Sequence, residues 1–475
     1  MTMSSPLLTE EIKNPPDPFS LFRRLQKYPY TFFLDSACPG PHKLGRYSFI
    51  GSDPLLVFKS KGGSVGLEWS DGRTENFTAD PFTCIQDLLD RFRTDPRKDL
   101  PNIPGAVGYF SYDMKNFIED LPDKAKDDMS IPDCILGFYG DTVIYDNLDH
   151  RCYAASYDMT GGGSRGARSR MEILKKRISA PALSPKPQPE PRAPRLRSNF
   201  SKAAYVRAVE KAKAYISKGD IYQVNLSQRF ECDLDIGPLE LYGRLRSLSP
   251  APFAAYLDFK DITVLSSSPE RFLRKAGDRI ETCPIKGTRP RGGDATSDLA
   301  LAKELASSAK DMAEHVMIVD LERNDLGRVC EYGSVRPTES CLIEKYANVF
   351  HMVSTVSGKL KKGTSPIDCL RAAFPGGSIT GAPKIRSMEI IDELEKIRRS
   401  IYTGALGYIT FDGNMDTSIV IRTFLVKGKK AYFQVGGGIV ADSDPQAEYE
   451  ETLHKARGLM EALGVKVCKP EALKV

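Results

Sequence analysis

Between residues 179 and 196 the chain reads "SAPALSPKPQPEPRAPRL", and prolines at this density remove amide donors and fix φ, so neither a helix nor a β-ladder can run through it. The glycine-rich "TGGGSRGARSR" at 160–170 precedes it, with only a short basic helix-like piece between. The 475-residue chain is thereby divided into an N-terminal region (1–159), a linker or loop (160–197) and a larger region (198–470). A hydrophobic fraction of 41% with 27% charged residues is ordinary for a globular protein and supplies a sizeable core. The net charge of +5 is thinly spread, without basic runs interleaved with aromatics, which argues against a nucleic-acid groove. Ten cysteines without a CxxC pair suggest neither a zinc knuckle nor a disulfide framework. The polar, proline-broken "MTMSSPLLTEEIKNPPDP" is unlike the apolar segment of a signal peptide, and no stretch approaches the roughly 20 apolar residues of a membrane span. A cytoplasmic protein with reduced thiols and no membrane contact is expected.

On both sides of the linker, runs rich in aromatic and β-branched residues read as strands, among them "YTFFLDS", "RYSFIGSDPLLVFKS", "QVNLSQRFEC", "TVLSSSPERFLRK", "SIVIRTFLVKG" and "KAYFQVGGGIV". "SKAAYVRAVEKAKAYISKG" has a Ser cap, a terminal Gly and an apolar face at Tyr205, Val209, Ala212 and Ile216, the marks of a helix. "TSDLALAKELASSAKDMAEHVMIVDLERND" and "DPQAEYEETLHKARGLMEALG" are read as helical too. Hairpin-like strand groups outnumber strand–helix alternation, so the expected class is α+β with mostly antiparallel sheets.

Several constellations could carry chemistry. Asp311 and Glu314 stand one helical turn apart, and Glu448 and Glu451 repeat the spacing; such pairs are either solvated helix faces or oxygen ligands suited to Mg²⁺. "FPGGSITGAPK" and "VGGGIVADSDP" offer glycines at which backbone amides can approach a carboxylate or phosphate, or simply turn tightly; neither is a P-loop nor a GxGxxG pattern. Arg422 interrupts an apolar run and calls for a carboxylate partner, from a ligand or from a structural Asp. Glu270 follows a Pro at the end of an apolar strand, where desolvation would raise its pKa and suit it to donate a proton; the alternative is an exposed loop acid. His351 sits in an apolar run and Lys286 in "PIKGTRPRG".

Together, "SSSPERF", "PIKGTRPRG", "EHVMIVDLERNDLGRV", "FPGGSITGAPKIRSMEIIDELE", "GALGYITFDG" and "VGGGIVADSDPQAEYEETLHKA" occur in the order found in the chorismate-utilising enzymes, and the chain resembles that family over essentially everything after the linker. "FFLDS" and "RYSFIGSDP" resemble its N-terminal region. The resemblance implies two large, mostly antiparallel sheets packed face to face with helices outside. It implies chorismate as substrate, with Glu314 and Glu451 holding Mg²⁺ against the ring carboxylate and Asp311 and Glu448 supporting through water. Arg422, Tyr408 and the amides of Gly436, Gly437 and Gly438 would hold the enolpyruvyl carboxylate, Lys455 and Thr380 would complete the site, Glu270 would be the general acid, and His351 would lie near the ring. Members using water as nucleophile carry a lysine base where this chain has Gln223, so an amine is the expected nucleophile. Anthranilate-forming members typically read "PIAGT", whereas "PIKGT" is the pattern of the aminodeoxychorismate-forming branch, in which Lys286 would attack ring carbon 2. Ammonia would come from a separate glutamine amidotransferase subunit. The N-terminal region matches that in which relatives hold tryptophan, with Asp35 where "LLES" usually has glutamate.

Overall fold

The structure is a computed structural model describing residues 7–38, 44–96, 100, 101, 104–181, 193–346 and 349–465. Most of the proline-rich run (182–192), part of the tryptophan-region match (39–43) and the end of the C-terminal region (466–470) lie outside the described residues.

Two twelve-stranded sheets form the body, and every pairing between their strands is antiparallel. Aromatic and branched side chains of both sheets meet between them: Phe32 packs edge-on against Tyr139 at 4.6 Å and Phe49 against Tyr408 at 5.4 Å, with Val57, Val107, Ile135 and Leu425 in the same cluster. Outside the first sheet the helices Lys202–Ser217, Pro238–Leu248 and Pro445–Ala462 bury Tyr205, Leu241 and Leu453; outside the second, Pro81–Arg91 and Pro366–Ala373 bury Phe82 and Leu370. The architecture is α+β with helices outside, as expected.

Each sheet is built from one block of strands before the proline-rich run and one block after it, the two blocks meeting at one antiparallel seam. Phe32–Asp35 pairs with Phe253–Asp258, and Gly105–Phe110 with Ala405–Thr410, so the two regions build one two-sheet body. The basic piece inside the linker is a helix, Gly163–Ser179, burying Ala167, Met171, Leu174 and Ile178.

Two elements differ from expectation in ways that matter for the site. The long helical run breaks at Ser308, an extended residue whose hydroxyl accepts from the Asp311 amide; it caps a second helix, Ala309–Gly327, behind a first, Ala295–Ser307. "SIVIRTFLVKG" is two strands rather than one: Met415–Ile419 belongs to the second sheet and Thr423–Lys427 to the first. Arg422, in the left-handed region at φ 50°, sits where the chain changes sheets. The same switch occurs between Ile262–Ser268 and Arg271–Ala276, and Glu270 sits at it.

Candidate active site

The two sheet-switching points set the position of Glu270 and Arg422, and the remaining groups gather from four further strands and two helices. Lys286 lies on the strand Ile285–Pro290. Its register against Val349–Lys359 slips between Lys286, opposite Met352, and Thr288, opposite His351. Gly287 fills the bulge at φ 72°, where a Cβ would stand 2.9 Å from Leu305, so glycine is required both by conformation and by space. The bulge re-aims Lys286, and its ammonium reaches the strand Lys430–Ile439: an added Cβ on Gly438 would be 3.5 Å from Lys286 Nζ and 2.5 Å from Gln223 Nε2. Gln223 opens the strand Gln223–Asp233, is fully buried, and neither its Nε2 nor its Oε1 has a hydrogen-bond partner.

Burial and then the nearby Lys455 hold Lys286 below the usual lysine range, opposed by Glu314, Glu270 and Glu451. Glu270 is 5% exposed. Burial raises its carboxyl, while Ser378, Lys286, the Ile285 amide (3.4 Å to Oε1) and Arg422 temper the rise. The exposed-loop alternative for Glu270 is thereby removed. An amine pushed toward its free base faces an acid pushed toward its protonated form, which suits nucleophilic attack assisted by proton donation.

Arg422 has no carboxylate within ion-pair reach among the described residues; instead Nη2 donates to His351 Nε2 at 3.2 Å. His351 Nδ1 lies 2.9 Å from the Thr288 hydroxyl, and with Nε2 accepting, Nδ1 carries the proton. Burial and the Arg422 charge hold His351 well below its ordinary value, so it is a neutral imidazole. The guanidinium itself is lowered by burial. A cation so placed is suited to an anionic ligand.

Glu448 and Glu451, on the helix Pro445–Ala462, converge over the bare Cα of Gly437: a Cβ there would lie 3.1 Å from Glu448 Oε2, 3.5 Å from Glu451 Oε1 and 3.9 Å from Lys455 Nζ. Ser443 donates to Glu448 at 2.5 Å; Lys455 pairs with Glu451 at 2.7 Å and donates to the Gly436 carbonyl at 3.1 Å. Glu314 faces them from the helix Ala309–Gly327, half-buried, raised by burial and by Asp311 and Glu451. Lys455 holds Glu451 below the usual carboxylate range. No group of three or more His, Cys, Asp or Glu among the described residues is placed to hold a metal ion. The pair Glu448 and Glu451 over Gly437, with Glu314 acting on Glu451 from the facing helix, still suits an ion such as Mg²⁺, which keeps waters and an anionic ligand beside one or two protein carboxylates. Asp311 does not join them, since Arg289 holds it at 2.9 Å.

Two further residues lie elsewhere than the sequence reading expects. Tyr408 is not with this cluster; it lines a separate cavity of about 490 Å³ between the sheets, with Asp35, Ser36, Arg46, Phe253 and Asp416. Strand alternation turns it there, and Tyr402 from the same segment instead shares the buried surroundings of Arg399 and Glu395. Thr380 is fully buried and its hydroxyl donates to the Gly376 carbonyl at 2.9 Å, so it is spent on the loop; Ser378, which the sequence reading missed, is the residue facing Glu270. Asp35, at the tryptophan-region match, is turned inward to Arg246 (2.7 Å) and Tyr242 (3.0 Å). No disulfide joins the nine cysteines among the described residues, and no helix there is long and apolar enough to cross a membrane.

Residues 32–461 match the family model described as chorismate binding enzyme. The chain is 39% identical to anthranilate synthase component 1 of Acetivibrio thermocellus, across 96% of this chain and 95% of that protein. It is also 39% identical to aminodeoxychorismate synthase component 1 of Bacillus subtilis, across 88% and 89%. The crystal structure of anthranilate synthase component I from Streptococcus pneumoniae superposes with a TM-score of 0.79 at 30% identity, covering 89% of this chain and 93% of that one. With a sheet-junction pocket that pairs a desolvated lysine with a buried acid, and with these relatives spanning nearly its full length, the chain belongs to the chorismate-binding enzyme family, close to anthranilate synthase component I.

Proposed function

We propose that the chain is an aminodeoxychorismate synthase component I, replacing the carbon-4 hydroxyl of chorismate by an amino group. The observation that carries the reading is Lys286: its ammonium is desolvated, beside Lys455, in the pocket of the buried acid Glu270. Neutral Lys286 attacks ring carbon 2; the ring double bonds shift, the carbon-4–oxygen bond breaks, and Glu270 gives its proton to the departing hydroxyl, which leaves as water. The secondary ammonium formed on Lys286 returns a proton to Glu270 and is left as the neutral secondary amine. Ammonia then bonds at carbon 4 and Lys286 leaves carbon 2, its nitrogen reprotonated from Glu270, which recovers the proton shed by the new amine. Water lost and ammonia gained balance the cycle.

Arg422 and the amides of Gly436, Gly437 and Gly438 would orient the enolpyruvyl carboxylate, and His351, neutral and fixed by Thr288, would hold Arg422 in place. Glu314 and Glu451, with Glu448 beside them, would hold Mg²⁺, which supplies charge neutralisation for the ring carboxylate. Gln223, an uncharged amide, cannot take a proton from water, in keeping with an amine nucleophile. Ammonia would be delivered by a glutamine amidotransferase subunit.

The second reading, anthranilate formation with loss of pyruvate, is favoured by the anthranilate synthases among the relatives. Chromatography of the products from chorismate, Mg²⁺ and ammonium separates the two: 4-amino-4-deoxychorismate supports the proposal, and anthranilate overturns it.

A further inference from the structure

Among the buried acids that the mechanism leaves unused, one lies within the field of the general acid Glu270. Glu322, on the helix Ala309–Gly327, is 2% exposed and lies beneath the short turn Gly377–Ile379. Its Oε1 accepts the Gly377 amide at 2.9 Å, and its Oε2 is buried without a partner. A Cβ on Gly377 would meet Leu321 at 2.7 Å and Glu322 Oε1 at 3.1 Å, so only glycine lets the backbone down onto the carboxyl. The next residue, Ser378, faces Glu270 from the other side of the turn. Two buried carboxyls thus flank a two-residue segment, one gripping its amide and the other facing its hydroxyl. The charged groups acting on Glu322 are Asp325, Lys384 and Glu270, and Lys384 is engaged by Asp325 and the Ala373 carbonyl. Burial and Asp325 push the Glu322 carboxyl upward, toward its protonated form.

We propose that Glu322 is a positioning residue for the general acid: its carboxyl fixes the Gly377 amide, and through Ser378 it holds the Glu270 carboxyl at the leaving hydroxyl. A carboxyl pushed toward its protonated form anchors the turn while setting less negative charge beside Glu270 when that acid has given up its proton. The inference rests on the proposed chorismate chemistry but not on which carbon is aminated.

The test measures chorismate consumption with Mg²⁺ and ammonium, whatever the product, for Glu322→Ala, Glu322→Gln, Ser378→Ala and Glu322→Ala/Ser378→Ala. Leaving the buried Gly377 amide unsatisfied should lower kcat by about 10- to 100-fold in Glu322→Ala with KM for chorismate nearly unchanged. Glu322→Gln, neutral and able to accept the same amide, should recover most of that loss. The double variant should be no worse than the poorer single one, because both act through the same hydroxyl. Wild-type kcat in Glu322→Ala, a loss confined to KM, a Gln variant as poor as the Ala variant, or additive losses would each overturn the inference. If Glu322→Ala does not fold, a Gln variant that has lost kcat by about tenfold or more overturns it as well. A wild-type chain that consumes no chorismate would instead remove the proposed function, and this inference with it; active wild type with an indifferent Glu322 removes the inference alone.

Discussion

Adding one methyl group at Gly438 tests the packing on which the lysine chemistry depends. The new Cβ would be 2.5 Å from Gln223 Nε2 and 3.5 Å from Lys286 Nζ, about 1 Å inside ordinary contact with the first and at contact with the second. The Gly438 backbone is not in the left-handed region, so alanine brings no conformational strain. Gln223 is fully buried, and overpacking such a site costs about 1–3 kcal/mol. Its amide can yield only by crowding Lys286, and a displacement of about 1 Å in a reacting group costs on the order of 100-fold in rate. Gly438→Ala should therefore lower kcat by about 100-fold, near 2.7 kcal/mol of barrier, with little change in fold. The neighbours are controls: at Gly437 the methyl meets only side-chain ends, Glu448 Oε2 at 3.1 Å and the half-exposed Glu451 and Lys455 at 3.5 and 3.9 Å, which can give by a few tenths of an ångström, whereas at Gly436 it stands 2.6 Å from the Leu226 carbonyl, which cannot. Initial-rate assays and denaturant unfolding on the three variants should show a chiefly catalytic defect at 438, a mild defect at 437 answered by more Mg²⁺, and lost stability at 436. Wild-type kcat in Gly438→Ala would refute the packing argument.

Glu314→Gln and Glu451→Gln should each cut turnover by about 100-fold or more and raise the Mg²⁺ concentration needed for half-activity, with circular dichroism unchanged; activity indifferent to Mg²⁺ in both would remove the metal assignment. Because burial lowers Lys286 and raises Glu270, the ammonia-free half-reaction should have a bell-shaped pH profile whose alkaline limb lies below the ordinary lysine value of about 10.4, rising as Lys286 loses its proton and falling as Glu270 does. A limb at or above that value would contradict the desolvated lysine. Arg399 and Glu395 form a 2.7 Å ion pair at 1% and 2% exposure, and Arg399 also holds the carbonyls of Ile379 and Asn225; Glu395→Ala should cost about 3–5 kcal/mol in denaturant unfolding by stranding a buried cation. The isolated chain should use ammonium and not glutamine, and robust glutamine-dependent turnover would overturn the separate-subunit proposal.

Much of this was legible in the sequence because the groups of the site travel in short motifs. The acid in "SSSPERF", the lysine in "PIKGT" and the glycines of "VGGGIV" lie in the same pocket. What was not legible depends on where strands begin, end and turn. The pattern "SIVIRTFLVKG" has one continuous apolar period, yet the chain changes sheets at Arg422, a choice set by pairing partners more than 100 residues earlier, such as Arg271 and Ser266. Alternation within "YTGALGYITF" carries Tyr408 to the other cavity, because a strand's period fixes which residues share a face but not which face meets the site. In "GGSITG", two hydroxyl residues compete for one place, and only the turn Gly377–Ile379 decides that Ser378 faces Glu270 while Thr380 binds its own loop. The helix break at Ser308 was hidden by continuous helical propensity; it is a cap that became visible once the Asp311 amide was seen to point at it.

Intact-mass spectrometry with peptide mapping, on the wild-type chain incubated with chorismate and Mg²⁺ without ammonia, reads the central claim most directly. A covalent adduct of chorismate less one water on the peptide carrying Lys286, absent in Lys286→Ala and discharged to 4-amino-4-deoxychorismate when ammonium is added, is the expected result. A chain that turns over chorismate with ammonium yet never carries the adduct, or whose Lys286→Ala variant makes the carbon-4 amine at the wild-type rate, would contradict it.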